Sequence, residues 1–240
     1  MQIVVPMAGR GARFAEQGVN TPKPLIPVLD RPMVAWALQS LDGLAYSRLI
    51  FVALREHDTD HSLNKQLRDL VGDDIEIILL DDVTDGQLRT VMAARDLIST
   101  DEDVLIANCD TYMISQLGQH IRAKHPECRG IISVGNMPGD RWSFARTDTT
   151  GRVVEVAEKV RISDHASTGY YYFTSGRELV EVADEMFSRG EKTRGEYYVI
   201  PVYQKYIERG WRVDISQIDS LWDMGTPEAL AAFEQQHKQG

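Results

Sequence analysis

Short apolar runs alternate with stretches of helical period from residue 3 onward, and this alternation restricts the fold more than any other feature of the chain. Residues 3–5, 49–54 and 75–80 read as strands. Each is followed in turn by a segment with apolar residues at helical spacing, namely 33–44, 61–71 and 87–98. The strand-like runs are continuous rather than alternately polar and apolar. Such runs are buried on both faces, as happens when crossover helices cover a mainly parallel sheet. Residues 104–107 supply the next strand, ending in Asn108-Cys109-Asp110, and residues 131–134 continue the series after another helix. The pattern changes after residue 135. The turn signal Asp148-Thr149-Thr150-Gly151-Arg152 separates strand-like residues 143–146 and 153–156 and predicts a hairpin. Residues 168–173 form a further strand, 178–187 and 196–208 are helices, and 211–215 are a last strand. Thr226 caps a final helix with Pro227 at its first position. The expected fold class is α/β, a mixed, mainly parallel sheet flanked by helices with a small antiparallel section in the C-terminal half.

The loop after the first strand, Met7-Ala8-Gly9-Arg10-Gly11-Ala12-Arg13-Phe14, combines bare backbone with cations, and Thr21-Pro22-Lys23-Pro24-Leu25 follows it. Glycine permits positive φ and close approach of main-chain amides to phosphate oxygens. Arg13 offers a planar fork, and the prolines around Lys23 limit where its ammonium can point. Residues 1–27 hold Arg10, Arg13 and Lys23 against Glu16 alone, in a chain of net charge -10. A glycine pair by itself marks only a tight turn. Here it is neither the dinucleotide fingerprint, because Phe14 stands where the third glycine belongs, nor a Walker loop, because no Gly-Lys-Ser/Thr follows. A phosphate cradle of another kind remains.

The composition bounds the partners. The chain has 36 acidic against 26 basic residues, which argues against an extended nucleic-acid interface. No run approaches the ~18 apolar residues of a membrane span. The opening residues run straight into a strand with no basic region before it, so the expected location is the cytoplasm. Cys109 and Cys128 are too few for a disulfide framework and are expected to be reduced thiols. At 240 residues the chain is expected to be one domain, with residues 1–135 serving a nucleotide and 136–240 a second substrate. Nothing sets the oligomeric state, and a homodimer is compatible with the sequence.

Asp110, at a strand end like the glycine loop, is positioned to hold magnesium against a nucleotide. Asp223, in Leu221-Trp222-Asp223-Met224-Gly225-Thr226-Pro227, offers a second carboxylate. The competing reading makes Asp110 a helix cap and Asp223 a turn residue. Glu158-Lys159 leaves the strand at 153–156, and Ser167-Thr168-Gly169-Tyr170 adds hydroxyls and bare backbone nearby; together they suit a phosphorylated acceptor, although a charged pair leaving a strand is more often a solvated turn. His57 and His61 have zinc-like spacing but lack the adjoining glutamate and read as a solvated turn near a helix start.

The chain resembles the nucleotidyltransferase family that makes nucleoside-diphosphate sugars and related activated metabolites. The resemblance covers nearly the whole sequence. It rests on Pro6 through Phe14, Pro22-Lys23-Pro24-Leu25, Ile106 through Asp110, Glu158-Lys159, Thr168 through Phe173, and Trp222 through Pro227, in the family's order. It implies a Rossmann-like fold of the nucleotide-diphospho-sugar transferase type and a magnesium-dependent enzyme that transfers a nucleotidyl group to a phosphorylated small molecule. It also implies Ala8, Gly9, Gly11 and Arg13 on the triphosphate, Lys23 near the reacting phosphates, Asp110 and Asp223 on magnesium, and Glu158, Lys159 and Gly169 at the acceptor. Gly86 and Gln87 lie where the family touches the base, and equally read as a turn capping the next helix. Ala12-Arg13-Phe14 stands where many members have Thr-Arg-Leu, and Val160 where many have proline, departures that bear on the substrate rather than the reaction. Residues 141–145 and 162–166 are most similar to members linked to capsule and surface polysaccharides. The acceptor is expected to be a sugar 1-phosphate. The alternatives are an amino-alcohol phosphate used with CTP, for which Trp142 and Tyr170, Tyr171 and Tyr172 offer aromatic walls, and a non-catalytic regulatory homologue.

Overall fold

A computed structural model describes residues 1–237. The strands are β1 (Gln2–Pro6), β2 (Pro27–Val28), β3 (Arg31–Pro32), β4 (Arg48–Leu54), β5 (Glu76–Leu80), β6 (Val104–Ala107), β7 (Thr111–Ser115), β8 (Cys128–Gly135), β9 (Ser143–Thr147), β10 (Val153–Glu158), β11 (Ala166–Phe173) and β12 (Arg212–Asp223). One sheet runs β5-β4-β1-β6-β11-β8-β12-β7, with the β9/β10 hairpin joined to it through β11. Strands β5, β4, β1 and β6 are mutually parallel. The chain steps outward from β1 to β4 and β5, then returns to the other side of β1 at β6. Strand order therefore reverses at β1, and the crevice beyond its carboxyl end is where such sheets bind ligands.

The continuous apolar runs arise because both faces of the central strands are covered. Val4, Ile50, Val52, Ile106, Tyr171 and Phe173 feed one core beneath helices Gly176–Ser188 and Ile200–Glu208. Their neighbours Ile3, Val5, Leu49, Phe51, Leu105, Tyr170 and Tyr172 feed the other, beneath Met33–Gln39 and Leu63–Val71.

Several elements differ from the sequence expectations. The helix expected over 61–71 spans Leu63–Val71, and a helix not expected from the sequence, Arg55–His61, precedes it, the two separated at Ser62 in the left-handed conformation (φ 54°). His57 is thus a buried helical residue rather than part of a solvated turn. The segment 87–98 breaks into Gln87–Val91, a 3-10 turn and Arg95–Ile98. The helix expected from residue 196 begins at Ile200. Strand β8 does not extend the parallel set beside β6: β11 occupies that place, antiparallel to both β6 and β8. The last strand is longer than the apolar run 211–215, because β12 first pairs in parallel with β8 and then antiparallel with β7.

Candidate active site

The long β12 joins the two carboxylates that lie far apart in sequence. Its antiparallel register with β7 sets Asp223 opposite Thr111 and Trp222 opposite Tyr112, so Asp223 arrives beside the residue that follows Asp110. Tyr112 and Trp222 stack at 5.1 Å and 18°, and the Met224 amide donates to the Asp110 carbonyl at 2.8 Å, which locks the register. Gly225 lies between the acids: a Cβ there would sit 2.9 Å from Asp223 Oδ1 and 3.0 Å from Asp110 Oδ2. Asp110 precedes a strand and caps no helix. Asp223 ends β12 and also accepts the Gly225 amide at 2.8 Å, so it serves the turn and the carboxylate pair together.

Lys23 enters from the 3-10 turn Lys23–Leu25 and pairs directly with Asp110 Oδ2. Burial alone would lower the ammonium's pKa, but the Asp110 carboxylate outweighs it and the net shift is upward. The converse holds for Asp110, where burial raises the pKa and the Lys23 charge and hydrogen bond bring it below the usual carboxylate range. Both groups are ionised at neutral pH. Gly11, at φ 63°, caps the turn Ala12–Ala15 with the Lys23 side chain only 3.1 Å from the position of a Cβ, so the glycine lets the loop close on Lys23. Arg13 is exposed on that turn and makes no hydrogen bond or ion pair among the described residues. Arg10 is instead tied to Glu56 at 3.2 Å and Asp82 at 3.1 Å.

Gly9, Gly11, Lys23, Gln87, Asn108 and Asp110 line a cavity of about 270 Å³ at the ends of β1 and β6. Ala8, Gly9, Thr84, Gly86, Gln87 and Glu196 line its continuation of about 260 Å³. Gly86 caps Gln87–Val91 at φ 133°, where a Cβ would lie 2.5 Å from the Tyr197 amide nitrogen; the helix-cap reading and the cavity position both hold for it. Gln87 Nε2 donates to Asn108 Oδ1 at 2.6 Å, and Gly169 (φ 85°) leaves room for Asn108, whose Nδ2 a Cβ would approach to 2.0 Å. Asn108 and Gly225 were not singled out from the sequence. The signal for both was adjacency, one residue before Cys109-Asp110 and two after Asp223.

Glu158 ends β10 and Lys159 follows it, and the pair is no solvated turn: Glu158 is 8% exposed. The hairpin register sets Ser143 opposite it, and the Ser143 hydroxyl donates to its carboxylate. Burial raises the Glu158 pKa, against the lowering effect of Ser143 and Lys159. Lys159 adopts a left-handed backbone (φ 55°) uncommon for a long side chain. It is held by donation to the Trp142 carbonyl at 2.9 Å, by Arg194 on its own carbonyl at 3.0 Å, and by its ammonium on Tyr198 Oη at 2.5 Å. Arg141, in the loop before β9, reaches Asp223 Oδ2 at 2.5 Å and so links this hairpin to the carboxylate pair. The tyrosine run forms no aromatic cage: Tyr170, Tyr171 and Tyr172 are buried in the two cores, as β-strand alternation between faces requires.

Two convergent carboxylates suit magnesium, a hard cation that takes one or two carboxylates and completes its shell with phosphate oxygens and water. No group of three or more His, Cys, Asp or Glu suited to a metal ion occurs among the described residues. No helix among the described residues is long and apolar enough to cross a membrane.

The chain is 25% identical, over 96% of its length and 80% of the relative's, to a glucose-1-phosphate thymidylyltransferase of Mycolicibacterium smegmatis. It is 25% identical, over 67% of its length and 25% of the relative's, to a CMP-5'-(3-aminopropyl)phosphonate synthase of Streptomyces rubellomurinus. It spans about half, 51%, of the bifunctional protein GlmU of Thermotoga petrophila. The crystal structure of a nucleoside-diphosphate-sugar pyrophosphorylase from Vibrio cholerae superposes with a TM-score of 0.84 at 26% identity, covering 97% of this chain and 99% of that one. Residues 3–240 match the Nucleotidyl transferase family. With a family match over nearly its whole length and a shared overall fold, the chain belongs to the Nucleotidyl transferase family.

Proposed function

We propose that the protein is a magnesium-dependent nucleotidylyltransferase that joins a nucleoside triphosphate to a sugar 1-phosphate and releases pyrophosphate. The observation that carries this reading is the convergence of Asp110 and Asp223 on Gly225 beside Lys23, at the end of a cavity floored by the glycine loop. Ala8, Gly9, Gly11 and Arg13 hold the triphosphate, Gly86 and Gln87 face the base, and Glu158, Lys159 and Gly169 face the acceptor. Residues 1–135 thus serve the nucleotide and 136–240 the acceptor.

The acceptor's phosphate oxygen attacks the α-phosphorus in line, forming the new P–O bond as the bond to pyrophosphate breaks. A phosphate monoester is already nucleophilic, so the protein's tasks are alignment and screening of repulsion between two anions. Lys23, Arg13 and Lys159 supply that screening. Magnesium, when bound at the carboxylate pair, would orient the α-phosphate and stabilise its charge.

Sugar 1-phosphates are favoured by the thymidylyltransferase relative and by the named class of the Vibrio cholerae structure, and a product for capsule or surface polysaccharide is the finer form of this reading. The phosphonate synthase relative favours a second reading, cytidylyl transfer to a non-sugar phosphate or phosphonate. Pyrophosphate release with magnesium, using each of the four ribonucleotides and dTTP against sugar 1-phosphates, amino-alcohol phosphates and phosphonates, separates the two. Nucleotide binding without turnover across that panel would overturn both.

A further inference from the structure

The two acidic groups of the site are each held by a cation, but in different ways. Lys23 on Asp110 is largely buried, with side-chain exposures of 21% and 17%. Arg141 on Asp223 is 49% exposed, lies on a loop, and rests its guanidinium 4.2 Å above the Trp142 ring. Both Asp223 oxygens are engaged in this arrangement: Oδ1, on the side of Asp110, accepts the Gly225 amide, and Oδ2 accepts Arg141. A divalent cation at the carboxylate pair and a guanidinium on Asp223 Oδ2 therefore share one carboxylate and repel each other.

Arg141 is also tied to the acceptor side of the site. Its neighbour Trp142 accepts the Lys159 amide, and Ser143 donates to Glu158, so Arg141 extends the hairpin that presents Glu158 and Lys159. The triphosphate loop lies at the end of β1, on a different part of the sheet. A cavity of about 650 Å³ beside Asp223 and Trp142 gives the side chain room to leave the carboxylate.

We infer that Arg141 is a metal-displaced acceptor ligand: it holds Asp223 in the metal-free enzyme, and metal binding releases its guanidinium, still supported on Trp142, to bind the acceptor's phosphate. This rests on the reading of Asp110 and Asp223 as the metal pair. A guanidinium suits the role because it forms bidentate bonds to phosphate and stacks on an aromatic face. Metal and acceptor then bind in order, with positive coupling.

The test uses the full chain with Mn2+ and inorganic phosphate as probes. Arg141→Ala should bind Mn2+ more tightly than wild type, by about fivefold for the loss of a half-exposed competing ion pair. It should bind phosphate about tenfold more weakly than wild type when loaded with Mn2+, and with little change when metal-free, because Arg141 is then engaged on Asp223. Arg141→Lys should recover part of both effects. A general loss of structure would weaken both ligands, so opposite signs in one variant distinguish the inference from misfolding. Unchanged Mn2+ affinity in Arg141→Ala, or equal phosphate affinity in the loaded proteins, overturns it while Asp223→Asn still loses Mn2+. If Asp110→Asn and Asp223→Asn both bind Mn2+ like wild type, the metal pair itself is refuted and this inference with it.

Discussion

Gly225→Ala gives a sharp test of the carboxylate pair because its effects on stability and function should separate. The added Cβ would lie 2.9 Å from Asp223 Oδ1 and 3.0 Å from Asp110 Oδ2, whereas ordinary contact begins near 3.4 Å. The two oxygens must retreat by about 0.5 and 0.4 Å, more than the about 0.2 Å tolerance of a metal–ligand distance. Metal affinity should fall about 10- to 100-fold, and turnover with it. Stability should change by less than about 1 kcal/mol, because Gly225 is outside the left-handed region and the crowded atoms are the ends of side chains. Mn2+ titration and thermal unfolding measure the two effects on the same preparation. Wild-type Mn2+ affinity would refute the spacing argument. A collapse of the melting temperature would show instead that Gly225 serves the backbone. Gly169→Ala is the contrasting case: with φ at 85° and Asn108 Nδ2 2.0 Å from the Cβ position, it should lose stability and function together.

Other predictions follow from burial and charge. Asp110→Asn should abolish most turnover while the fold persists, at a cost of about 2–3 kcal/mol, because Lys23 stays part-buried without its carboxylate; near-normal pyrophosphate release would remove Asp110 from the site. Burial raises the folded-state pKa of Glu158, so the folded protein binds more protons than the unfolded chain once pH climbs past the usual carboxylate value, and stability drains away as pH rises through the raised pKa. Glu158→Gln should flatten that slope, and unfolding curves across the mildly acidic range that match wild type would refute it. Cys109 and Cys128 are buried thiols whose pKa burial pushes up to about 12, so a thiol reagent should react with neither until the protein unfolds. Rapid labelling of the native chain would contradict their placement.

The parts of the fold that were legible share one cause, the burial of central strands on both faces. Residues 3–5, 49–54 and 104–107 announce themselves because a strand covered on both sides has no polar position to interrupt it. The unread strands lack that signature. Strand β7, Tyr112 and Ile114 included, lies at the sheet's edge with Ile114 49% exposed, and the second half of β12 pairs only with that edge. Their sequence therefore mixes polar and apolar residues and stops looking like core after Ile215. Yet these are the strands that bring Asp223 to Asp110. The same contrast holds within the site: the glycine loop was visible because its conformational needs are local, whereas the place of Asn108 depends on Gly169 in a strand two positions across the sheet from β1.

That contrast explains why the glycine-loop end of the site reads more plainly than the end around Glu158. Phosphate binding by a strand-end loop needs only a few adjacent residues whose geometry is set by glycine and proline, so sequence order preserves it. The region at the ends of β10, β11 and β12 depends on three registers at once: Ser143 against Glu158, Ala166 against Phe144, and Asp223 against Thr111. A one-residue slip in any of them turns its side chains to the other face. Glu158-Lys159 is consequently ambiguous as a dipeptide and unambiguous only once Ser143, Trp142 and Tyr198 are seen to hold it. If Glu158 and Lys159 face the acceptor, as proposed, Ser143→Ala and Tyr198→Phe should raise the acceptor's KM in pyrophosphate-release assays while leaving that of the nucleotide near wild type, since they remove the partners of Glu158 and of the Lys159 ammonium; unchanged acceptor KM in both would refute it.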